Sequence, residues 1–177
     1  MKGQVELELK TLVSRQKFEK LAAHYQPLTF VRQTNTYFVT GDPDHYAFRI
    51  RERLGEKLFT LKQHRDGQVI EYEKPFSGNF FDDPEIRQTL ADFGLTPPYQ
   101  LLGSLTTDRA VHYDGLAELC FDINSYNGIT DYEIEYEVKK DHDHEKAFRQ
   151  ILDRENVSYQ KSWGSKYKRC LKTKNQY

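Results

Sequence analysis

The amino-acid sequence predicts an α+β fold in which short antiparallel strands close into a β-barrel and helices pack on its outside. Three observations predict it. Apolar and polar residues alternate with period two in short segments along the chain, the mark of strands with two unlike faces. Most neighbouring segments are joined by a few turn residues, as antiparallel pairing requires. The intervening helical stretches carry a single apolar stripe that needs sheet surface to cover it.

The elements follow in order. A first strand is expected over 4–11, and a helix over 14–25, with Ser14 as N-cap and Phe18, Leu21, Ala22 and Tyr25 on one stripe. Strands are expected over 36–40, 46–53, 57–63 and 69–75, with turns at Leu54-Gly55-Glu56 and Asp66-Gly67. A second helix over 83–93 opens with Asp83 as cap and Pro84 at its first position, and stops at Gly94. Another helical turn is expected over 99–104, then strands over 109–114, 116–123 and 132–139. A last helix, 143–155, should bury Ala147, Phe148, Ile151 and Leu152.

The totals bound what the chain can be. Its 177 residues are read as one domain, 1–177, with enough chain to bury roughly two thirds of the surface it would expose unfolded. Charged residues make up 30%, yet the net charge is only −1, which argues against a nucleic-acid partner needing a surplus of Lys and Arg. No apolar run approaches the ~18 residues of a membrane span, and the first residues pass directly into alternating sequence without a leader pattern. Two cysteines, Cys120 and Cys170, make no disulfide framework. A cytoplasmic protein, monomer or homodimer, with no membrane partner is the expectation.

The charges on the strands carry the functional signal. Glu6, Glu8 and Lys10 alternate with Val5, Leu7 and Leu9; Arg49, Arg51 and Arg53 alternate with Phe48, Ile50 and Glu52; Thr60 and Lys62 alternate with Phe59 and Leu61. Glu71 and Glu73 bracket Tyr72, Glu118 and Asp122 share a parity with Cys120, and Glu133, Glu135 and Glu137 alternate with Ile134, Tyr136 and Val138. In an ordinary half-buried sheet such charges simply meet water and pair across strands. The apolar residues of these strands, however, form a full core face of their own, and the amphipathic helices need that face. The charged face then lines the inside of the barrel. Interior charge of both signs is costly unless a ligand completes the pairing. Carboxylates for a hard divalent cation and arginines for phosphate oxygens together suit a phosphorylated ligand with Mg²⁺ or Mn²⁺.

These residues resemble the CYTH proteins, also called triphosphate tunnel metalloenzymes. The resemblance is carried by Glu6-Leu7-Glu8-Leu9-Lys10 for the signature E-x-E-x-K, then Thr36-Tyr37-Phe38, Phe48-Arg49-Ile50-Arg51, Leu61-Lys62 and Glu71-Tyr72-Glu73. It continues through Arg109, Asp122 and Glu133-Ile134-Glu135 to Lys166, and so spans residues 4 to about 170. It implies an eight-stranded antiparallel tunnel, with Glu6, Glu8, Asp122, Glu133 and Glu135 near the metal. Lys10, Arg49, Arg51, Lys62, Arg109 and Lys166 would contact a triphosphate-containing small molecule. Glu71 and Glu73 match an acidic pair placed among the basic groups or near a second metal, and with Tyr37 and Lys166 they make up the implied catalytic set. Arg53, Glu118 and Glu137 share the parity but lie outside these motifs. There is one departure: some bacterial triphosphatases of the family carry a lysine, paired with the tyrosine matching Tyr37, where this chain has Thr107. Lys166, in Ser165-Lys166-Tyr167, resembles a late lysine of thiamine-triphosphatase-like members.

The resemblance implies a metal-dependent triphosphatase, with inorganic triphosphate as the first substrate to consider. Thiamine triphosphatase and adenylyl cyclase are alternatives within the family, and a non-catalytic polyphosphate- or nucleotide-binding module is the alternative of another class. Other features are given bland readings. Asp141-His142-Asp143-His144 is read as a solvated helix start before a metal site. Trp163 is read as packing, Cys120 lacks an adjacent His, and Ser162 and Ser165 lack a triad.

Overall fold

The computed structural model describes residues 1–160 and 164–174, and the alternating segments become nine strands in its described residues. In chain order they are β1 (Gln4–Glu6), β2 (Glu8–Val13), β3 (Val31–Phe38), β4 (Tyr46–Arg53), β5 (Glu56–Arg65), β6 (Gln68–Phe76), β7 (Leu101–Tyr113), β8 (Ala117–Tyr126) and β9 (Ile129–Val138). The described helices are α1 (Arg15–Ala23), α2 (Pro84–Asp92), α3 (His144–Asp153) and α4 (Lys166–Lys174), with a 3-10 turn at Phe80–Asp82. The sheet order is β1-β6-β5-β4-β3-β7-β8-β9-β2. Its first and last strands are joined through Leu7 alone, the connectivity expected of a closed antiparallel sheet. No helix among the described residues is long and apolar enough to cross a membrane.

The chain divides into two units. The first comprises residues 1–6, 33–105 and the stretch from Lys166. Its strands β4, β5 and β6 form successive antiparallel hairpins, with β1 paired to β6 and β3 to β4. Leu54-Gly55 and Asp66-Gly67 both sit at positive φ, as two-residue turns matching strand twist require. The apolar face, Phe48, Ile50, Phe59 and Leu61, packs with Phe38, Phe80 and the α2 residues Ile86 and Leu90. Helix α2 starts where Asp83 Oδ1 accepts from the backbone N–H groups of Glu85 and Ile86. It stops before Gly94, whose φ of 70° is open to glycine at no steric cost.

The second unit comprises residues 7–32 and 106–165. Strands β7, β8, β9 and β2 lie in that order, antiparallel. Its core joins Leu9, Leu119, Phe121, Ile134 and Tyr136 to Phe18, Leu21 and Ala22 of α1 and to Phe148 and Leu152 of α3. Ser14 and Asp143 cap α1 and α3 through the backbone N–H groups of Lys17 and Lys146. Asp143 therefore serves the helix start, and Ala147 and Ile151 pack at the margin of this core.

Four expectations are corrected. The single strand over 4–11 is two strands, because the chain changes partner from β6 to β9 at Leu7, which alternation alone does not reveal. This raises the strand count from eight to nine. Residues 101–104 are strand, not helix: they begin β7, and the Ser104 and Thr36 hydroxyls meet at 3.3 Å. Strand β3 begins at Val31, not at residue 36; its buried positions Gln33 and Asn35 are polar, a pattern that apolar alternation does not reveal. Helix α4, which was not expected, carries Tyr167, Cys170 and Leu171 on one short stripe in an otherwise basic stretch. Trp163 and Ser162 lie outside the described residues.

Candidate active site

Strand register in the second unit lays its charged residues out in rows. Arg109, Asp122 and Glu133 are successive partners across β7, β8 and β9, and Cys120, Glu135 and Lys10 across β8, β9 and β2. Glu118, Glu137 and Glu8 form the next row, Thr107, Asn124 and Asp131 the row on the other side. Side-chain alternation puts all of them on the face opposite the helix-covered core. Asp122 and Glu133 are fully buried and Glu135 is nearly so. One carboxylate oxygen from each lies within 4.8 Å of the others.

Arg109 is the cation among them. Its Nε and Nη2 donate to the two oxygens of Asp122 at 2.7 and 2.5 Å, and Nη2 also donates to Glu135. Burial works against the guanidinium charge, but Asp122 and Glu135 outweigh it and hold its pKa well above the ordinary arginine value. Removing either side of such a pair would strand a buried charge at a cost of about 3–5 kcal/mol. Lys10 donates to Glu8 on its own strand. Lys139 bridges Glu137 and Glu118 at 2.5 and 3.2 Å, which accounts for both as an exposed ion-pair group. Burial pushes the Cys120 thiol up to about 12, so it is not a nucleophile at neutral pH.

The first unit carries a second charged face. Tyr37, Arg49, Thr60 and Glu73 form one row across β3 to β6, and Asn35 and Arg51 are paired in the next. Lys62 donates to both oxygens of Glu6 at 2.7 and 2.6 Å and lies 3.4 Å from Glu71, which also sits 3.9 Å from Arg49. Thr60 donates to Glu73 at 2.9 Å, and Arg51 Nε to Asn35 Oδ1 at 3.1 Å. Burial opposes the charge of Arg49, yet Tyr37 and Glu71 raise its pKa on balance. Arg49 Nε and Asn35 Nδ2 are buried donors with no hydrogen-bond partner among the described residues. An unmatched buried donor on a cationic face is poised for an acceptor such as a phosphate oxygen. Lys166 is buried at the first residue of α4, and Tyr167 beside it packs edge-on against Tyr37 at 5.6 Å.

The structure therefore brings together Asp122, Glu133, Glu135 and Arg109 in one unit, and Glu6, Lys62, Glu71 and Arg49 in the other. Glu6 and Glu8, two apart in sequence, belong to different strands and hold different lysines. Arg53, paired with Gln33 and Glu56 at the exposed end of β4, joins neither group. Sequence reasoning passed over Asn35, Asn124 and Asp131. Their signal was available as parity, since each keeps the two-residue step of Tyr37, Asp122 and Glu133.

The donor set suits a hard divalent cation: three buried carboxylates offer oxygen ligands at close quarters.

Comparison with known proteins agrees with this layout. The CYTH domain model matches residues 4–170. A Bacillus subtilis (strain 168) protein named "Putative triphosphatase YjbK" is 29% identical over 171 residues, 89% of this chain and 90% of that one. The crystal structure of a "putative adenylate cyclase" from Bacillus halodurans is 30% identical, with a TM-score of 0.85 over 96% of this chain and 98% of that one. A "putative adenylyl cyclase", HpAC1 from Hippeastrum, shares the fold at 20% identity, with a TM-score of 0.77 over 96% of each chain.

Proposed function

We propose that this chain, which belongs to the CYTH domain family, hydrolyses inorganic triphosphate with Mg²⁺ or Mn²⁺ and releases orthophosphate. The observation that carries the reading is the buried carboxylate trio Asp122, Glu133 and Glu135. Their carboxylate oxygens, all within 4.8 Å of one another in a buried site, form the all-oxygen donor set that a hard divalent cation takes. The name of the Bacillus subtilis relative supports the same activity.

The trio would hold the metal, with Glu6 and Glu8 as the further acidic residues of the reading. A bound divalent cation would supply positive charge against the phosphate oxygens. Arg49, Arg51 and Lys62 grip those oxygens, with Lys10, Arg109 and Lys166 as further contacts. Glu71, tied to Lys62 and within 3.9 Å of Arg49, keeps these cations oriented. Glu73 is the proposed base: it accepts from the neutral hydroxyl of Thr60, and it is open to water. It takes a proton from the water that attacks the terminal phosphorus. The bond from that phosphorus to the bridging oxygen breaks, and pyrophosphate leaves with the electron pair. Tyr37 holds Arg49 in place, and Lys166 offsets the charge on the departing oxygen. The reading treats 1–177 as a single cytoplasmic domain.

Adenylyl cyclase is the second reading, favoured by the name of the Bacillus halodurans relative. There the ribose 3′-hydroxyl attacks the α-phosphorus and pyrophosphate leaves, so the two activities differ in products. A panel of inorganic triphosphate, thiamine triphosphate, ATP and long polyphosphate under Mg²⁺ and Mn²⁺ tests both. Orthophosphate from inorganic triphosphate is the expected outcome. Pyrophosphate with cyclic AMP from ATP would replace the triphosphatase reading, and binding without product would replace both with a binding module.

A further inference from the structure

Asn124 lies on the charged face of β8, two residues past Asp122, and is fully buried with Thr107 and Glu133. Its cross-strand neighbours are Thr107 on β7 and Asp131 on β9. The Thr107 hydroxyl donates to Asn124 Oδ1 at 2.7 Å. On its other side Asn124 Nδ2 donates to Asp131 Oδ1 at 2.9 Å and to Glu133 Oε2 at 3.4 Å. The second oxygen of Asp131 accepts from the Tyr126 hydroxyl at 2.7 Å.

This amide has one workable orientation. Turned over, Oδ1 would face two carboxylates in a buried site, where an unmatched acceptor and charge repulsion are both costly. The Thr107 proton occupies Oδ1 and reinforces that choice. Asn124 consequently fixes a carboxylate from behind with a neutral donor. Arg109, which contacts Asp122 and Glu135, neutralises the groups it holds; an amide orients without cancelling charge. A carboxylate that must present its charge to a metal ion needs the second kind of support.

We propose that Asn124, with its amide locked by Thr107, is a positioning residue that sets Glu133 for a divalent cation. The inference rests on the metal reading of Asp122, Glu133 and Glu135, and goes beyond it by assigning two uncharged residues to that site.

Mn²⁺ alone is the probe, titrated into the full chain by calorimetry and by loss of the free-ion electron paramagnetic resonance signal. Asn124→Leu, close in volume but without donors, should weaken Mn²⁺ binding about 10- to 100-fold. Thr107→Val should weaken it by about half as many decades, and Thr107→Ser, which restores the hydroxyl, should recover most of that loss. In a Glu133→Gln background the effect of Asn124→Leu should shrink to within about twofold, because the carboxylate to be positioned is gone. A merely structural role would leave the Asn124→Leu loss undiminished in that background, and this would overturn the inference. Equal affinity in the unaltered protein and Asn124→Leu would overturn it while sparing the metal reading. No Mn²⁺ binding by the unaltered protein would overturn both. If Asn124→Leu fails to fold, Thr107→Val carries the test, and affinity equal to the unaltered protein would then count against the proposal.

Discussion

The two units solve the same packing problem and end with different chemistry. In each, a strand's apolar side is covered by helix: α2 over Phe48, Phe59 and Leu61, and α1 with α3 over Leu119, Phe121 and Ile134. Each therefore has a second strand face free for polar residues. In the first unit that face has Arg49, Arg51 and Lys62 beside Glu6, Glu71 and Glu73, with buried donors at Arg49 and Asn35 still unmatched among the described residues. In the second it has three buried carboxylates around one arginine. The unmatched donors of the first face suit the oxygens of an anion, and the carboxylate trio of the second suits a cation. The difference shows that helix coverage makes a charged strand face possible, while residue type alone decides which ligand sign the face suits.

The largest expected effect tests that assignment. Glu133→Gln keeps shape and hydrogen bonding but removes one carboxylate charge, and should lower kcat on triphosphate by about a thousandfold with the circular dichroism unchanged. Arg49→Ala should cost about 10²- to 10³-fold and should weaken triphosphate binding measured without metal, whereas Glu133→Gln should not. If both variants lose metal-free triphosphate binding equally, the division into anion and cation faces fails.

Next comes the thiol contrast. Cys120 in the second unit has a thiol raised from an ordinary value of 9.0 to about 12 by burial, so its thiolate population at pH 8 falls on the order of a thousandfold. Its labelling by a thiol reagent should be slow to that degree in the native protein and reach the free-cysteine rate in urea. Fast native labelling would show that the unit opens locally. Cys170 is buried in the first unit and gives each unit one reporter.

Core truncation sharpens the comparison further. Phe59→Ala and Phe148→Ala each remove a fully buried ring and should cost about 3–5 kcal/mol in urea unfolding. Hydrogen exchange should show the first loss of protection in the unit that carries the substitution; uniform loss across both would mean that the two cores unfold as one.

The smallest effect is at a helix end. Asp83→Ala should cost about 1 kcal/mol through loss of the α2 N-cap. The Asp83 carboxyl is held below its ordinary value, first by Lys74 and then by the backbone N–H of Ile86. A depressed pKa means that this contribution is present above the ordinary carboxylate range and fades as pH falls through the lowered one. The stability gap between Asp83→Ala and the unaltered protein should therefore close in acid, and a gap that persists at low pH would remove Asp83's charge from the account.

Much of the architecture was legible because alternation is a direct record of a two-faced strand. The apolar partners of Arg49, Lys62 and Glu135 proved to be core, and Ser14, Asp83 and Asp143 proved to be caps. What escaped was whatever lacks an apolar code. Strand β3 buries the polar Gln33 and Asn35, and α4 buries Lys166 with only Tyr167 and Cys170 as fully covered apolar residues in a lysine-rich stretch, so neither carries the apolar run that the other elements show.

By itself the sequence determined which residues share a strand face, since a period of two is set by backbone geometry and survives any later packing. It thereby determined that Glu6, Glu8 and Lys10 fall on one parity, and that Arg49 and Arg51 do as well. Only the tertiary structure decided who their partners are. The change of strand at Leu7 assigns Glu6 to Lys62 and leaves Glu8 with Lys10, the β7–β8–β9 register lines up Arg109, Asp122 and Glu133 on successive strands, and the β9–β2 register sets Glu135 against Lys10 from the other end of the chain. The physical reason is that alternation is a local property, whereas pairing depends on register between strands far apart in sequence, which only the assembled sheet specifies.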